Sequence, residues 1–250
     1  MGTAMTDKQN ELVVRLRNLK LEGFASEIEN QLSNLPVYAK ISFEDRLLSC
    51  VDMQETLNKE KRCFTLIKNA KFKDHLRLTD LTSTADYGLK DETLASLTSL
   101  NWVTKCCNVI ISGSCGVGKT GLACALGYNC CSNGISVKYY RTSDLLLELT
   151  NKIGMDKLRF MRNLQRFKVL ILDDFGISKI STSESQDLFN IIDDRYKTAS
   201  TVISTQLKKS AFPILLGSDT KAEAATDRLL HPAIEIELKG PSRRKLLKVA

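Results

Sequence analysis

Apolar residues recur at two different periods along this chain, and the change from one to the other divides it. Leu12, Leu16 and Leu19, then Phe24, Ile28 and Leu32, return every three or four residues, the spacing of amphipathic helices. The stretch LSNLPVYAKIS around Pro36 interrupts that rhythm, and Ser42-x-x-Asp45 offers an N-cap for a second long helix through Leu47 and Val51. A small all-helical unit is therefore expected over 5–80. The chain then turns polar and rich in Ser and Thr, which predicts a linker leading into a short helix over 81–105. Beyond it, short apolar runs at Val109–Ser112, Ile135–Tyr139, Val169–Leu172, Thr201–Thr205 and Ile234–Leu238 are separated by helical patterns. Such alternation predicts an α/β fold over 106–250, a five-stranded parallel sheet covered by helices. Gly121 to Asn129 forms the first of these helices, with Leu122, Ala125 and Leu126 inward. Ser183-x-x-Gln186 caps another, with Leu188, Ile191 and Ile192 on its core face.

Candidate chemistry sits at two of the predicted strand ends. Gly113-Ser114-Cys115-Gly116-Val117-Gly118-Lys119-Thr120 satisfies the phosphate-loop pattern in full, after one strand and opening one helix. Glycines let backbone N–H groups curl around phosphate oxygens, and the helix N-terminus adds the positive end of its dipole. Lys119 is expected to reach the β- and γ-phosphates of ATP. The Thr120 hydroxyl is expected to ligate Mg2+. The second motif is KVLILDDFG, in which a buried strand ends in two carboxylates at the carboxyl edge of the sheet, where such folds bind ligands. Asp173 is expected to hold the magnesium. Asp174 would orient or deprotonate the attacking water.

Composition changes this picture in three ways. At 250 residues, 43% of them apolar and 26% charged with mixed signs, the chain has material for a sizeable core and an appendage. No apolar run approaches the roughly 18 residues of a membrane span, and the first residues show no apolar segment of the kind a signal peptide has, so a cytoplasmic protein with reduced, packing cysteines is expected. The formal charge of +7 is patchy: Lys59 to Arg77 carries seven basic residues against two acidic, and Lys138 to Lys168 carries eight against three. Within the latter, Lys157, Arg159, Arg162 and Arg166 recur on overlapping faces of one predicted helix. They are candidates for tracking the phosphate backbone of a nucleic acid without reading bases.

The order and spacing of these segments resemble the AAA+ ATPases of the DnaA and DnaC branch, and most closely the IstB-type ATP-binding proteins of bacterial insertion sequences. LRNLKLEGFASEIENQL resembles that family's N-terminal helical domain, GVGKTGLACALG its phosphate loop, VLILDDFG its Walker B strand and DRLLHPAIEIELKGPSRRK its C-terminal end. The resemblance implies a sensor-1 polar group at Thr205 or Gln206, Gln206 being favoured. It implies a trans-acting arginine finger at Arg228 and a sensor-2 arginine at Arg244, with Arg243 one residue away. Two departures stand out: Asp174 where many AAA+ proteins have glutamate, and Ser114-Cys115 where Pro-Pro is commoner. The activity implied is that of an ATPase which self-associates into a ring or helical oligomer on DNA and assists a partner transposase. A helicase loader of the DnaC type is the alternative within the branch. A phosphate-loop kinase of a small metabolite and a nucleotide-gated DNA scaffold without turnover lie outside it.

Overall fold

The computed structural model describes residues 5–80, 88–217 and 220–242. Two compact units divide the chain, 1–65 and 66–250. Among the described residues no helix is long and apolar enough to cross a membrane.

The first unit is helical: α1 (Asp7–Asn18), α2 (Glu22–Ser33), α3 (Leu35–Tyr38) and the first turns of α4 (Phe43–Ala70). Thr6 and Gln9 form a capping box at the start of α1, and Ser42 Oγ accepts the Asp45 N–H at the start of α4. The inward residues differ from expectation. Val13 and Ala25 are buried, whereas Leu12 and Leu19 are exposed. Where α2 meets α4 a Cβ at Gly23 would overlap the Gln54 backbone, so glycine there lets the two helices approach closely.

The second unit is built on a parallel sheet. Its elements are α5 (Asp91–Thr98), α6 (Asn101–Thr104), β1 (Asn108–Gly113), α7 (Lys119–Ser132), β2 (Val137–Arg141), α8 (Thr142–Thr150) and α9 (Gly154–Gln165). There follow β3 (Val169–Phe175), α10 (Thr182–Arg195), β4 (Ser200–Thr205), α11 (Phe212–Leu215), α12 (Thr220–Leu230) and β5 (Ala233–Leu238). The strands lie in the order β2-β3-β4-β1-β5, so β4 separates β1 from β3. Side chains alternate between the two faces. Val109, Ile111 and Ile171 pack with α7, while Ile110, Leu170 and Leu172 pack with α8, α10 and α12. Gly127 lets α7 lie close, since a Cβ there would overlap Phe72 and Ile171. The cap of α10 is Ser181 with Glu184, two residues before the expected Ser183, while Leu188, Ile191 and Ile192 are buried as predicted.

Arg195 fastens the amino edge of this sheet. It is 2% exposed, and its guanidinium donates to Leu164 O and Phe167 O at 3.0 Å, Ser200 O at 2.7 Å and Thr201 Oγ1 at 3.2 Å. Burial pushes its pKa down to about 10, so it remains a cation at neutral pH. Removing it takes a donor from the carbonyls of Leu164, Phe167 and Ser200, which it ties together between α9, β3 and β4. Arg195→Leu is expected to cost about 3 kcal/mol, read as a lowered urea midpoint, and Arg195→Lys to restore only part, because an ammonium cannot span the same fork.

Candidate nucleotide site

The turn from β1 into α7 is shaped by three glycines at positive φ: Gly113 (+147°), Gly116 (+83°) and Gly118 (+103°). Backbone N–H groups in such a run form a concave nest for anions, and the first turn of α7 extends it. A Cβ at Gly116 would overlap the Ser242 hydroxyl, so only glycine fits there. Ser114, Cys115 and Val117 complete the loop, Cys115 being exposed and Val117 buried. Lys119 opens α7 and is 8% exposed. Its Nζ donates to Gly113 O at 2.9 Å and Ser114 O at 2.8 Å, which pins the ammonium across the nest.

Asp173 is fully buried across from the loop, and hydroxyls wrap it. Thr120 Oγ1 donates to its two oxygens at 2.9 and 3.1 Å, Tyr139 OH donates at 2.7 Å, and Ser204 Oγ also donates. Burial, reinforced by the bond to Asp173, pushes the Tyr139 hydroxyl up, so the phenol stays protonated and remains a donor. Such donors offset the cost of a buried carboxylate. Thr120 and Asp173 thus converge as oxygen ligands beside the phosphate nest, the donor chemistry that suits magnesium.

Asp174 owes its direction to an irregularity. Leu172 pairs with Ile203 and Phe175 with Thr205, so Asp173 and Asp174 together stand against Ser204 alone. The extra residue is a β-bulge, and Asp174 takes φ +56°, a left-handed conformation that Asp tolerates better than most residues. Its N–H donates to Ser204 Oγ at 3.3 Å. Arg141 Nε, at the end of β2, lies 3.3 Å from Asp174 Oδ2, an ion pair without the alignment of a hydrogen bond.

The remaining candidates are distributed unevenly. Thr205 Oγ1 donates to Phe175 O at 2.8 Å and accepts from Leu207 N at 3.0 Å, so its hydroxyl serves the backbone. Gln206 is exposed, one residue past the end of β4. Arg228 sits at the opposite edge of the sheet from its own loop. Its carbonyl accepts from the side chain of Asn108, the first residue of β1, at 3.0 Å. Its guanidinium lies 2.8 Å from Asp193 as an ion pair and 5.5 Å from the Phe189 ring. Arg243 and Arg244 fall outside the described residues. On α9, Lys157 turns inward to Asp187 at 2.7 Å, whereas Arg159, Arg162 and Arg166 face solvent. Lys157 lies seven residues, about two helical turns, before the buried Leu164, which places it on the packed face.

Tyr139, Arg141 and Ser204 were not among the residues singled out from the sequence. All three lie at or near the carboxyl ends of strands, where the rule that located Asp173 also applies. The sequence pattern ends β2 at Tyr139, so Arg141, which closes the strand, falls outside the expected element.

A phosphate nest and a buried aspartate that face each other past an intervening strand, on a parallel sheet ordered β2-β3-β4-β1-β5, define a P-loop protein of the AAA+ type. Solved structures share the fold. The chain is similar to DnaI, with TM-score 0.57 and 22% identity over 68% of this chain and 91% of that one. It is also similar to AMPPCP-bound DnaA from Aquifex aeolicus, with TM-score 0.55 and 19% identity over 71% and 55%. The protein belongs to the family of IstB-like ATP binding proteins, whose model matches residues 14–249. Among its relatives is the ATP-binding protein of insertion sequence IS1162 from Pseudomonas fluorescens, 36% identical over 198 residues, 78% of this chain and 85% of that protein. Another is the insertion sequence ATP-binding protein y4pL of Sinorhizobium fredii, 31% identical over 232 residues, 92% and 94% of the two chains.

Proposed function

We propose that this protein is an ATP-hydrolysing, DNA-binding AAA+ ATPase that assembles on target DNA in the cytoplasm and assists a partner transposase. The observation that carries this reading is the pairing of phosphate nest and hydroxyl-wrapped Asp173 in a chain from the insertion-sequence ATP-binding family. Lys119 supplies positive charge to the β- and γ-phosphates, and the loop amides bind the remaining oxygens. Thr120 and Asp173 hold magnesium, which when bound neutralises phosphate charge. Asp174 orients or deprotonates water, Gln206 contacts the terminal phosphate, and Arg244 adds a second cation from the same chain. Arg228 completes the site of a neighbouring subunit in a ring or helical oligomer. The helical region 5–80 acts as the oligomerisation or partner-contact module, 81–105 as the linker and 106–250 as the ATPase domain. Arg159, Arg162 and Arg166 track the DNA backbone.

The direct test is strand transfer by the transposase of the same insertion sequence into a target duplex. Transfer is expected to rise when this protein and ATP are both added. Unchanged transfer, with this protein instead promoting loading of a replicative helicase, would overturn the transposition reading in favour of a helicase loader.

Two further results are expected. Log affinity for DNA should fall with log salt at a slope near −2.7 if three guanidiniums each neutralise one phosphate, at about 0.9 per contact. Reversing charge at Arg159 and Arg162 should flatten that slope by about 2 as measured by anisotropy across salt concentrations. Tyr139→Phe leaves Asp173 with fewer donors to hold it in place. Losing such an outer partner is expected to raise the magnesium needed for nucleotide binding about tenfold, read by titrating magnesium against a fluorescent nucleotide.

A further inference from the structure

The outward face of α9 carries more than charge. At 100° per residue, Met155, Arg159, Arg162 and Arg166 fall within an arc of about 60° on the side away from buried Leu164. The run from Arg159 to Arg166 covers about 10 Å of helix, the rise of about three base pairs. Arg162 and Arg166 make no ion pair among the described residues, and the contact of Arg159 with Asp156 at 3.5 Å is exposed and weak. Exposed apolar side chains cluster about the amino end of this stripe: Ile153, the N-cap residue, is 85% exposed, Met155 59% and Leu158, on its flank, 48%. Gly154 separates the first two at φ +54°, and a Cβ built there would meet nothing within 4 Å, so this end of α9 projects into open space.

A solvated helix face has no use for three large apolar side chains at its most exposed end. Burying them is favourable, and a cationic stripe directs that burial toward a polyanion with apolar surfaces of its own. Stacked base pairs within a phosphate backbone have that chemistry. Ile, Leu and Met are among the side chains that wedge between base steps and kink a duplex. Resting on the DNA-binding reading above, we infer that Ile153, Met155 and Leu158 form a wedge that enters double-stranded DNA while Arg159, Arg162 and Arg166 hold the adjacent phosphates.

The test uses the full chain with ATP and a duplex labelled at both ends for energy transfer, with a 2-aminopurine at its centre. The wild type is expected to shorten the end-to-end distance and raise 2-aminopurine fluorescence several-fold as bases unstack. Ile153→Ser with Met155→Ser and Leu158→Ser should abolish both signals while leaving the salt slope of binding unchanged. Met155→Leu, which keeps an apolar side chain of similar size, should retain them. Arg159→Glu with Arg162→Glu should instead weaken binding and flatten the slope; if it does neither, α9 is a solvated face, the DNA surface lies elsewhere and the wedge is overturned with it. Should the triple serine variant bend and unstack DNA as the wild type does, the wedge is overturned while backbone tracking stands. Loss of self-association in that variant, with bending by the remaining assemblies intact, would assign the apolar tip to a contact between copies and overturn the wedge as well.

Discussion

Lys119→Ala is expected to lower affinity for ATP at least a hundredfold, whereas Asp174→Asn should leave it within about threefold and stop turnover. The difference follows from what each side chain touches. Lys119 is buried and bonded to two carbonyls of its own loop, so its loss removes both a charge for the phosphates and a brace of the nest that receives them. Charge-assisted bonds of this kind are worth about 1.5–3 kcal/mol each, and a hundredfold corresponds to about 2.7 kcal/mol. Asp174 contributes nothing to the nest. Thr120 and Asp173 remain in place without its charge, and asparagine accepts the left-handed φ that the bulge imposes, so the fold is retained. A positioned base contributes about 10²–10⁴ to the rate, which sets the expected loss of turnover. Fluorescent nucleotide titration gives the first quantity and single-turnover hydrolysis the second. Equal loss of binding in both variants would refute the division of roles.

Arg228→Ala is expected to cut turnover about a thousandfold with nucleotide affinity nearly intact, the lower range for an arginine supplied in trans. Arg228 lies at the amino edge of the sheet beside Asn108, while the loop follows Gly113 at the carboxyl edge, so it cannot serve its own site. Its contacts with Asp193 and the Phe189 ring set the direction in which the guanidinium is held. Mixing Arg228→Ala with Asp174→Asn should restore part of the activity. In some interfaces the first variant then supplies an intact Asp174 and its neighbour an intact arginine. ATPase rates across mixing ratios, at concentrations where co-assembly is confirmed, provide the measurement. Mixtures as inactive as their parents would remove Arg228 from the mechanism.

The parts of this site written as contiguous patterns were legible before any coordinates. Gly113 to Thr120 and Leu170 to Asp174 each announce themselves by order and composition, and the strands containing them fall within a residue or two of their expected places at the amino end. What remained hidden is carried by neighbours in space. Tyr139, Arg141 and Ser204 reach the two aspartates from β2 and β4, which no local pattern links to β3. β2 was misplaced at both ends because it is an edge strand. Polar Lys138 and Arg141 are tolerated there, while the apolar Ile135 lies in the irregular backbone just before the strand. The bulge was equally invisible, since a register offset of one residue leaves no trace in composition. In the helical unit the leucine spacing suggests an inward face, yet Val13, Ala25 and Cys50 are buried while Leu12 and Leu19 are exposed.

The place of β4 also bears on how the molecule is made. During synthesis β1 and β3 emerge first, yet in the finished sheet neither touches the other, because β4 stands between them and pairs with both. A nascent chain released only as far as β3 has therefore exposed two apolar strands with an unfilled slot between them. Their direct pairing would be a trap that must be undone before β4 can enter, the kind of delay expected of parallel sheets with distant partners. The loop and the aspartates reach their final spacing only after that insertion. Nucleotide added to refolding protein should consequently bind after the slowest sheet-forming step and lock the product, lengthening its lifetime without hastening its appearance.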